Sequence, residues 1–313
     1  MSQIPLRLNI HRGTWSRRRW IFGTLLITAL VASIALRIVI SRAEPILRAR
    51  VIETLSTQFK SRVELSGFHV SIDRGVHVWG EGLKIYGNFD PNSQQPRIQP
   101  VLAVTEFRFQ TGIANLLHSP MHVDRVYVKG LQLNLPAREQ RASVPARNGK
   151  IKIFVDQLIC EHARLLINTL KPGKLPLEFE IASLKMTKIG PGQPLHFDAD
   201  FTNPKPMGNI LSTGLFGPWQ ADNPRGTPVD GTYSFTHADL GTIKGIGGIL
   251  SSTGKYAGTL ENIVVDGTTD TPDFRISVSG HPLPLHTSFH PIVDGTNGDT
   301  YLQPVRANIL GSC

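Results

Sequence analysis

From Val63 onward, apolar residues recur at every second position. Leu177, Phe179 and Ile181 alternate with Glu178 and Glu180, and Leu195, Phe197, Ala199 and Phe201 with His196, Asp198 and Asp200. Ile151, Ile153 and Val155 alternate with Lys152 and Phe154, and Phe274, Ile276 and Val278 with Arg275, Ser277 and Ser279. A period of two, apolar on one side and polar on the other, predicts antiparallel strands that bury a single face. The runs VELSGFHVSI, GVHVWGEGLKIYG, VLAVTEFRFQ and MHVDRVYVKGLQLNL behave alike. Gly67, Gly82 and Gly130 sit where the phase slips, as bulges or tight turns require. At the usual strand length of about 5–6 residues, roughly a dozen strands are predicted.

Upstream the pattern changes. Residues 20–36, WIFGTLLITALVASIAL, carry no charge, and Ile38, Val39 and Ile40 extend the apolar block past Arg37. That length matches a bilayer core of roughly 30 Å, so 20–40 is predicted to be a transmembrane anchor. A cleaved signal peptide ending at Ser41-Arg42-Ala43 is the alternative; its apolar core would be unusually long. In 41–62, Ile46, Leu47, Val51, Ile52, Leu55 and Phe59 recur at helical spacing behind Pro45, which predicts a short amphipathic helix. It is suited to a membrane surface or to capping the end of the domain that follows.

Few other helices are available to cover the apolar face. IANLLHS (113–119) has room for a turn or two, and three glycines weaken ADLGTIKGIGGIL (238–250) by about 1 kcal/mol each. The face must therefore roll on itself, meet a second sheet or hold something apolar. The polar, patternless residues 136–149 divide a β portion at 63–135 from another at 150–313.

Charge narrows the choice. The net charge is +9, but Arg7, Arg12, Arg17, Arg18 and Arg19 place five of those charges in residues 1–19, which contain no Asp or Glu. A nucleic-acid partner loses most of its support. The positive-inside bias puts this basic tail in the cytoplasm and the rest of the chain across the membrane. The two cysteines, Cys160 and Cys313, make neither a disulfide framework nor a zinc site.

Candidate chemistry is sparse. Val-Asp-Gly-Thr occurs at 229–232, 265–268 and 293–296, but the acidic residues that follow miss the spacing of a calcium loop. Asp-Gly between apolar runs predicts turns, or a bulge at Gly231. GGILSSTGKY (247–256) fails the spacing of a phosphate loop and has Tyr256 in place of its hydroxyl residue, so a Gly-rich hairpin is predicted. His281, His286 and His290 are too few on one face for zinc, and Cys160 with His162 lacks the orienting partner of a nucleophile. No catalytic residue, metal ligand or cofactor is expected.

The order of features resembles the bacterial AsmA-like envelope proteins: an arginine cluster, an anchor, a helix, then VELSGFHVSIDRGVHVWGEGLKIYG. HVDRVYVKGLQLNLP is similar to that family's strand–Gly–strand unit. The segment from Ala238 to Gly280, with Gly267, Pro272, Asp273 and Phe274, resembles its later part. The resemblance, which extends to TamB and the chorein-type bridge-like lipid transfer proteins, implies an inner-membrane anchor. It also implies a long, curved, mostly antiparallel periplasmic sheet open as a groove, and a role in phospholipid transport or outer-membrane biogenesis. Outer-membrane or other envelope proteins would be further partners. Family members are longer, so missing sequence or partners are expected to complete the span. Acyl chains would then lie on Ile151, Ile153, Val155, Leu177, Phe179, Ile181, Leu195, Phe197, Phe201, Phe274, Ile276 and Val278. The rival expectation is a closed β-sandwich that acts through protein contacts; an enzyme ranks third.

Overall fold

A computed structural model of the chain describes residues 30–31, 44–46, 48–49, 51–53, 55–57, 61–72, 75–86, 100–112, 115, 121–137, 153–170, 172–173, 175–220, 222–277, 281–303 and 305–309. It falls into two units, Met1–Ala49 and Arg50–Cys313. In the first, Leu30, Val31, 44–46 and 48–49 are helical. The basic tail at 1–19 and the rest of the anchor predicted over 20–40 lie outside the described residues. Among the described residues, no helix is long and apolar enough to cross a membrane. Of the amphipathic helix predicted over 41–62, 51–53 and 55–57 are helical in the second unit, whereas Ser61 and Arg62 are not.

Seventeen strands follow: β1 (Val63–Glu64), β2 (Gly67–Ile72), β3 (Val76–Ile85), β4 (Leu102–Thr111), β5 (Met121–Leu135), β6 (Ile153–Ile167), β7 (Leu177–Ile189), β8 (Leu195–Pro204), β9 (Met207–Phe216) and β10 (Pro228–Asp239). After them come β11 (Ile246–Gly247), β12 (Ile249–Thr259), β13 (Asn262–Ile276), β14 (Leu283–Phe289), β15 (Ile292–Asp294), β16 (Asp299–Tyr301) and β17 (Arg306–Ile309). All belong to one sheet. From β2 to β10 each strand pairs with its chain neighbour, then β10 with β12, β12 with β13 and β13 with β14. Every described strand is thus a member of that one sheet, and no second sheet packs on it. The closed sandwich is therefore not formed among the described residues.

The pairing is antiparallel with one exception. β5 and β6 run parallel from Met121↔Ile153 to Leu135↔Ile167. The segment predicted as a linker thus joins two adjacent strands of one sheet; most of it lies outside the described residues.

The best-buried cluster lies at the start of the sheet. Leu65, Phe68 and Val78 form it, and the helical residues Val51 and Ile52 pack against it. The helix therefore covers the first strands, as a domain cap does.

Several turn predictions need correction. The Val-Asp-Gly-Thr copies at 229–232 and 265–268 lie within β10 and β13; the copy at 293–296 alone enters a turn. Gly231 opposes Tyr256 in regular register, without a bulge. Glycine is required there for space: a Cβ on Gly231 would come within 2.6 Å of the Tyr256 hydroxyl, and one on Gly267 within 2.9 Å of the Phe289 ring. Likewise GGILSSTGKY forms no hairpin but enters β12, where Tyr233 covers Gly254. The segment 238–250 forms a 3-10 turn at Leu240–Thr242 and the short β11 rather than a helix.

The bulges stand partly where glycine marked them. Gly82 (φ 63°) and Gly130 (φ 66°) are left-handed, whereas Gly67 is ordinary strand. His162 (φ 53°), Lys188 (φ 59°) and His237 (φ 55°) are left-handed without being glycine.

Replacing Gly267 by Val is expected to displace the Tyr233 and Phe289 rings and cost about 1–3 kcal/mol. Gly130→Ala, at a positive φ and against Thr105, is expected to cost about 1 kcal/mol or more. Urea unfolding of the two variants checks both.

Candidate functional site

The strand registers join side chains into rows that cross the sheet. One row reads Val70, Val78, Phe109, Val126, Leu158, Met186, Phe197, Gly214, Gly231, Tyr256, Val265. A second on the same face reads Phe68, Gly80, Phe107, Val128, Cys160, Leu184, Ala199, Ser212, Tyr233, Gly254, Gly267, Phe289. One residue over, on the opposite face, the row is His69, Trp79, Arg108, Tyr127, Ile159, Lys185, Asp198, Thr213, Thr232, Lys255, Asp266. Charge is confined to that outer row.

The two inner rows contain three ionisable groups, and all three are held toward neutrality. Burial pushes the Cys160 thiol up to about 11, with nearby Glu161 adding to the effect. Burial also raises the Tyr233 and Tyr256 phenols above their ordinary value. Desolvation disfavours the charged form in each case.

Over β6–β10 this face forms a trough of about 480 Å³. Leu165, Ile167, Phe179, Ile181, Leu184, Met186, Leu195, Phe197, Ala199, Phe201, Phe216, Val229 and Gly295 line it. Most of these side chains are half-buried, and Phe179 meets Phe201 edge-on at 6.2 Å between centroids.

The sequence-predicted residues divide around the trough. Phe179, Ile181, Leu195, Phe197 and Phe201 line it. Leu177 opposes Ile167 at its edge. By strand alternation Ile153 and Val155 share the face of Gln157 and Glu161, while Phe154 takes the side of Leu158 and Cys160. Phe154 stacks on His122 instead of on the trough. Phe274 and Ile276 lie past the irregularity between Thr271 and Phe274, away from the trough lining. Ile151 and Val278 lie outside the described residues. Pattern reading missed Leu165, Ile167, Leu184 and Met186 because left-handed His162 and the register shift after Ile181 move the alternation by one.

Beyond β8 the inner face changes. Ser212 Oγ donates to the Thr232 carbonyl at 3.0 Å, which leaves Tyr256 to donate to Ser212 at 2.7 Å. One strand on, Ser252 Oγ donates to the Thr268 carbonyl at 2.9 Å and Tyr233 donates to Ser252 at 3.0 Å. Each relay pins a phenol ring flat over a glycine, and each proton is directed into the sheet.

On the outer face, His286 pairs with Asp270 at 2.9 Å and His290 with Asp266 at 2.5 Å. Among the described residues no cluster of three or more His, Cys, Asp or Glu could hold a metal ion. No family model, curated protein or solved structure matches the chain.

The phenols give a test of the neutral face. Tyr233 and Tyr256 have folded values above the unfolded value of about 10. Their contribution to stability is full below pH ~10 and lost as pH rises through the folded values. Tyr86 and Tyr127, raised first by bonds to Glu64 and Glu161, act in the same direction. The double variant Tyr233→Phe, Tyr256→Phe is expected to flatten the alkaline fall in urea stability. Phenolate absorbance should show these two rings ionising above the ordinary range.

Proposed function

We propose that the chain is an AsmA-like, membrane-anchored envelope protein whose trough binds phospholipid acyl chains for lipid transport or outer-membrane biogenesis. The observation that carries this reading is the apolar trough itself, whose lining of Phe, Leu, Ile and Met over β6–β8 contains no charged residue and which Gly295 of the turn after β15 borders from beyond β10. Apolar contact at about 25 cal/mol per Å² supplies affinity without polar recognition. Headgroups remain in water, so selectivity among them is weak. The basic tail and the apolar segment 20–40 support an inner-membrane anchor with the bulk of the chain in the periplasm. The neutral rows support binding rather than catalysis, with no cofactor.

A photo-crosslinking amino acid in place of Phe201, in the full chain within cells, is expected to yield lipid adducts detectable by mass spectrometry. The same group in place of Thr213, on the outer face, is expected to yield none. Phe197→Asp should reduce the Phe201-site adduct more than tenfold while circular dichroism stays unchanged, because a carboxylate in an acyl contact is strongly disfavoured. Absence of lipid adducts at Phe201, or equal adducts at the two positions, would count against the trough as a lipid site.

A further inference from the structure

A second cavity lies on the outer face over β2–β5, with a volume of about 520 Å³. Trp79, Arg108 and Tyr127 stand side by side in it, on one row of the register. Farther along that row, from Ile159 to Asp266, no aromatic residue follows. Trp79 and Tyr127 are half-buried, yet on the charged side of the sheet they have no core to fill.

Both rings are fixed by their polar ends. Trp79 Nε1 donates to Glu106 Oε1 at 2.9 Å, and the His69 ring stacks on the indole with centroids 5.0 Å apart. The Tyr127 hydroxyl donates to Glu161 at 2.6 Å. Two strand spacings separate the rings' backbones, about 10 Å, so each offers its own platform.

Donors and acceptors surround the platforms. Arg108 turns back onto Glu106 Oε1, the oxygen that Trp79 also holds, so among the described residues Oε2 has no protein partner. The bond from Trp79 is the main reason that the Glu106 carboxyl lies below its ordinary value, and Arg108 and Lys129 add to it. Glu106 is therefore an anionic acceptor at neutral pH. The adjoining row brings His77, Gln110, Arg125 and Gln157 together. Arg125 Nε donates to Gln157 at 3.1 Å, and among the described residues its terminal nitrogens have no partner.

Charges of both signs are interleaved here, which selects among ligands that stack on aromatic rings. A phosphate chain would meet Glu106 and Glu161 at the very rings on which its bases would lie. A sugar ring carries no charge. It sets C–H groups against the negative face of a π system and turns its hydroxyls sideways, where each both donates and accepts.

We propose that the outer-face cleft of Trp79 and Tyr127 binds a neutral oligosaccharide. Two sugar rings of one chain rest on the two platforms, and their hydroxyls bond to Glu106, Gln110 and Arg125. The site is independent of lipid in the trough, because the two lie on opposite faces of the sheet.

Saturation-transfer NMR of the full chain tests this, in amine-oxide micelles that contain no sugar, with maltotetraose, cellotetraose and chitotetraose as probes. At least one tetrasaccharide is expected to bind, with transfer strongest at its ring C–H protons. Trp79→Ala is expected to weaken that binding roughly tenfold or more, and Trp79→Tyr to retain part of it. Arg125→Ala, at an exposed position, is expected to weaken it roughly fivefold. Thr213→Ala, farther along the row, and Phe197→Asp, in the trough, should leave it unchanged, with circular dichroism confirming the fold of every variant. Binding of none of the three probes would overturn the proposal. So would binding that survives both Trp79→Ala and Arg125→Ala unaltered, or a preference for oligodeoxythymidylate over the tetrasaccharides.

Discussion

The backbone hydrogen bonds between neighbouring strands set every other property of this sheet, because paired residues must face the same side. A slip of one residue would exchange the two faces of a strand. Here the register carries the same side from Val70 on β2 to Val265 on β13. His69 and Asp266, each one residue along from those positions, belong to the charged face throughout. The separation of apolar and charged surfaces therefore follows from pairing, and no central core is needed to enforce it. The parallel junction of β5 and β6 preserves it too, since Val126 meets Leu158 and Val128 meets Cys160.

Long strands cannot keep strict alternation and also bend. The sheet resolves this with left-handed residues. Gly82 and Gly130 do so at little strain; His162, Lys188 and His237 do so despite their side chains. The difference explains what was legible beforehand. Strand content, the one-faced pattern and the glycine bulges could be read from the sequence. Trough residues within regular alternation, such as Phe179 and Phe197, could be read as well. Leu165 and Ile167 could not, because nothing in the residue type of His162 announces a phase change. Ile153 and Val155 fall on the face of Gln157 and Glu161, with Phe154 inward, because alternation between two apolar sets does not say which set faces in. The parallel pairing of β5 and β6 was hidden because period-two patterning does not encode strand direction.

The Asp-Gly repeats misled for a different reason. Glycine marks either a turn or a place where something lies close to the backbone, and local sequence favours the first reading. The partner that decides the matter is a ring on the neighbouring strand. Tyr256 over Gly231 and Tyr233 over Gly254 are cross-strand relations, visible only once the register is known. They also give the inner face two textures: branched side chains and phenylalanines over β6–β8, and flat phenols over bare backbone over β10–β13.

That contrast bears on why the trough stays open. Deep side chains on β6–β8 leave gaps between them that water fills poorly, whereas flat rings on glycine present a shallow floor. An apolar wall without an opposing layer leaves much of its hydrophobic stabilisation unrealised in water, since only area removed from solvent contributes. The helical residues 51–53 and 55–57 lessen that deficit for the first strands, where Val51 and Ile52 pack on the cluster of Phe68 and Val78. No described helix does the same over Phe179, Phe197 and Phe201. A hydrocarbon chain laid there would supply the missing cover. A ligand that binds the folded sheet and not the unfolded chain stabilises it by mass action. On the proposed reading, lipid is therefore both cargo and the second layer that the meander does not build for itself.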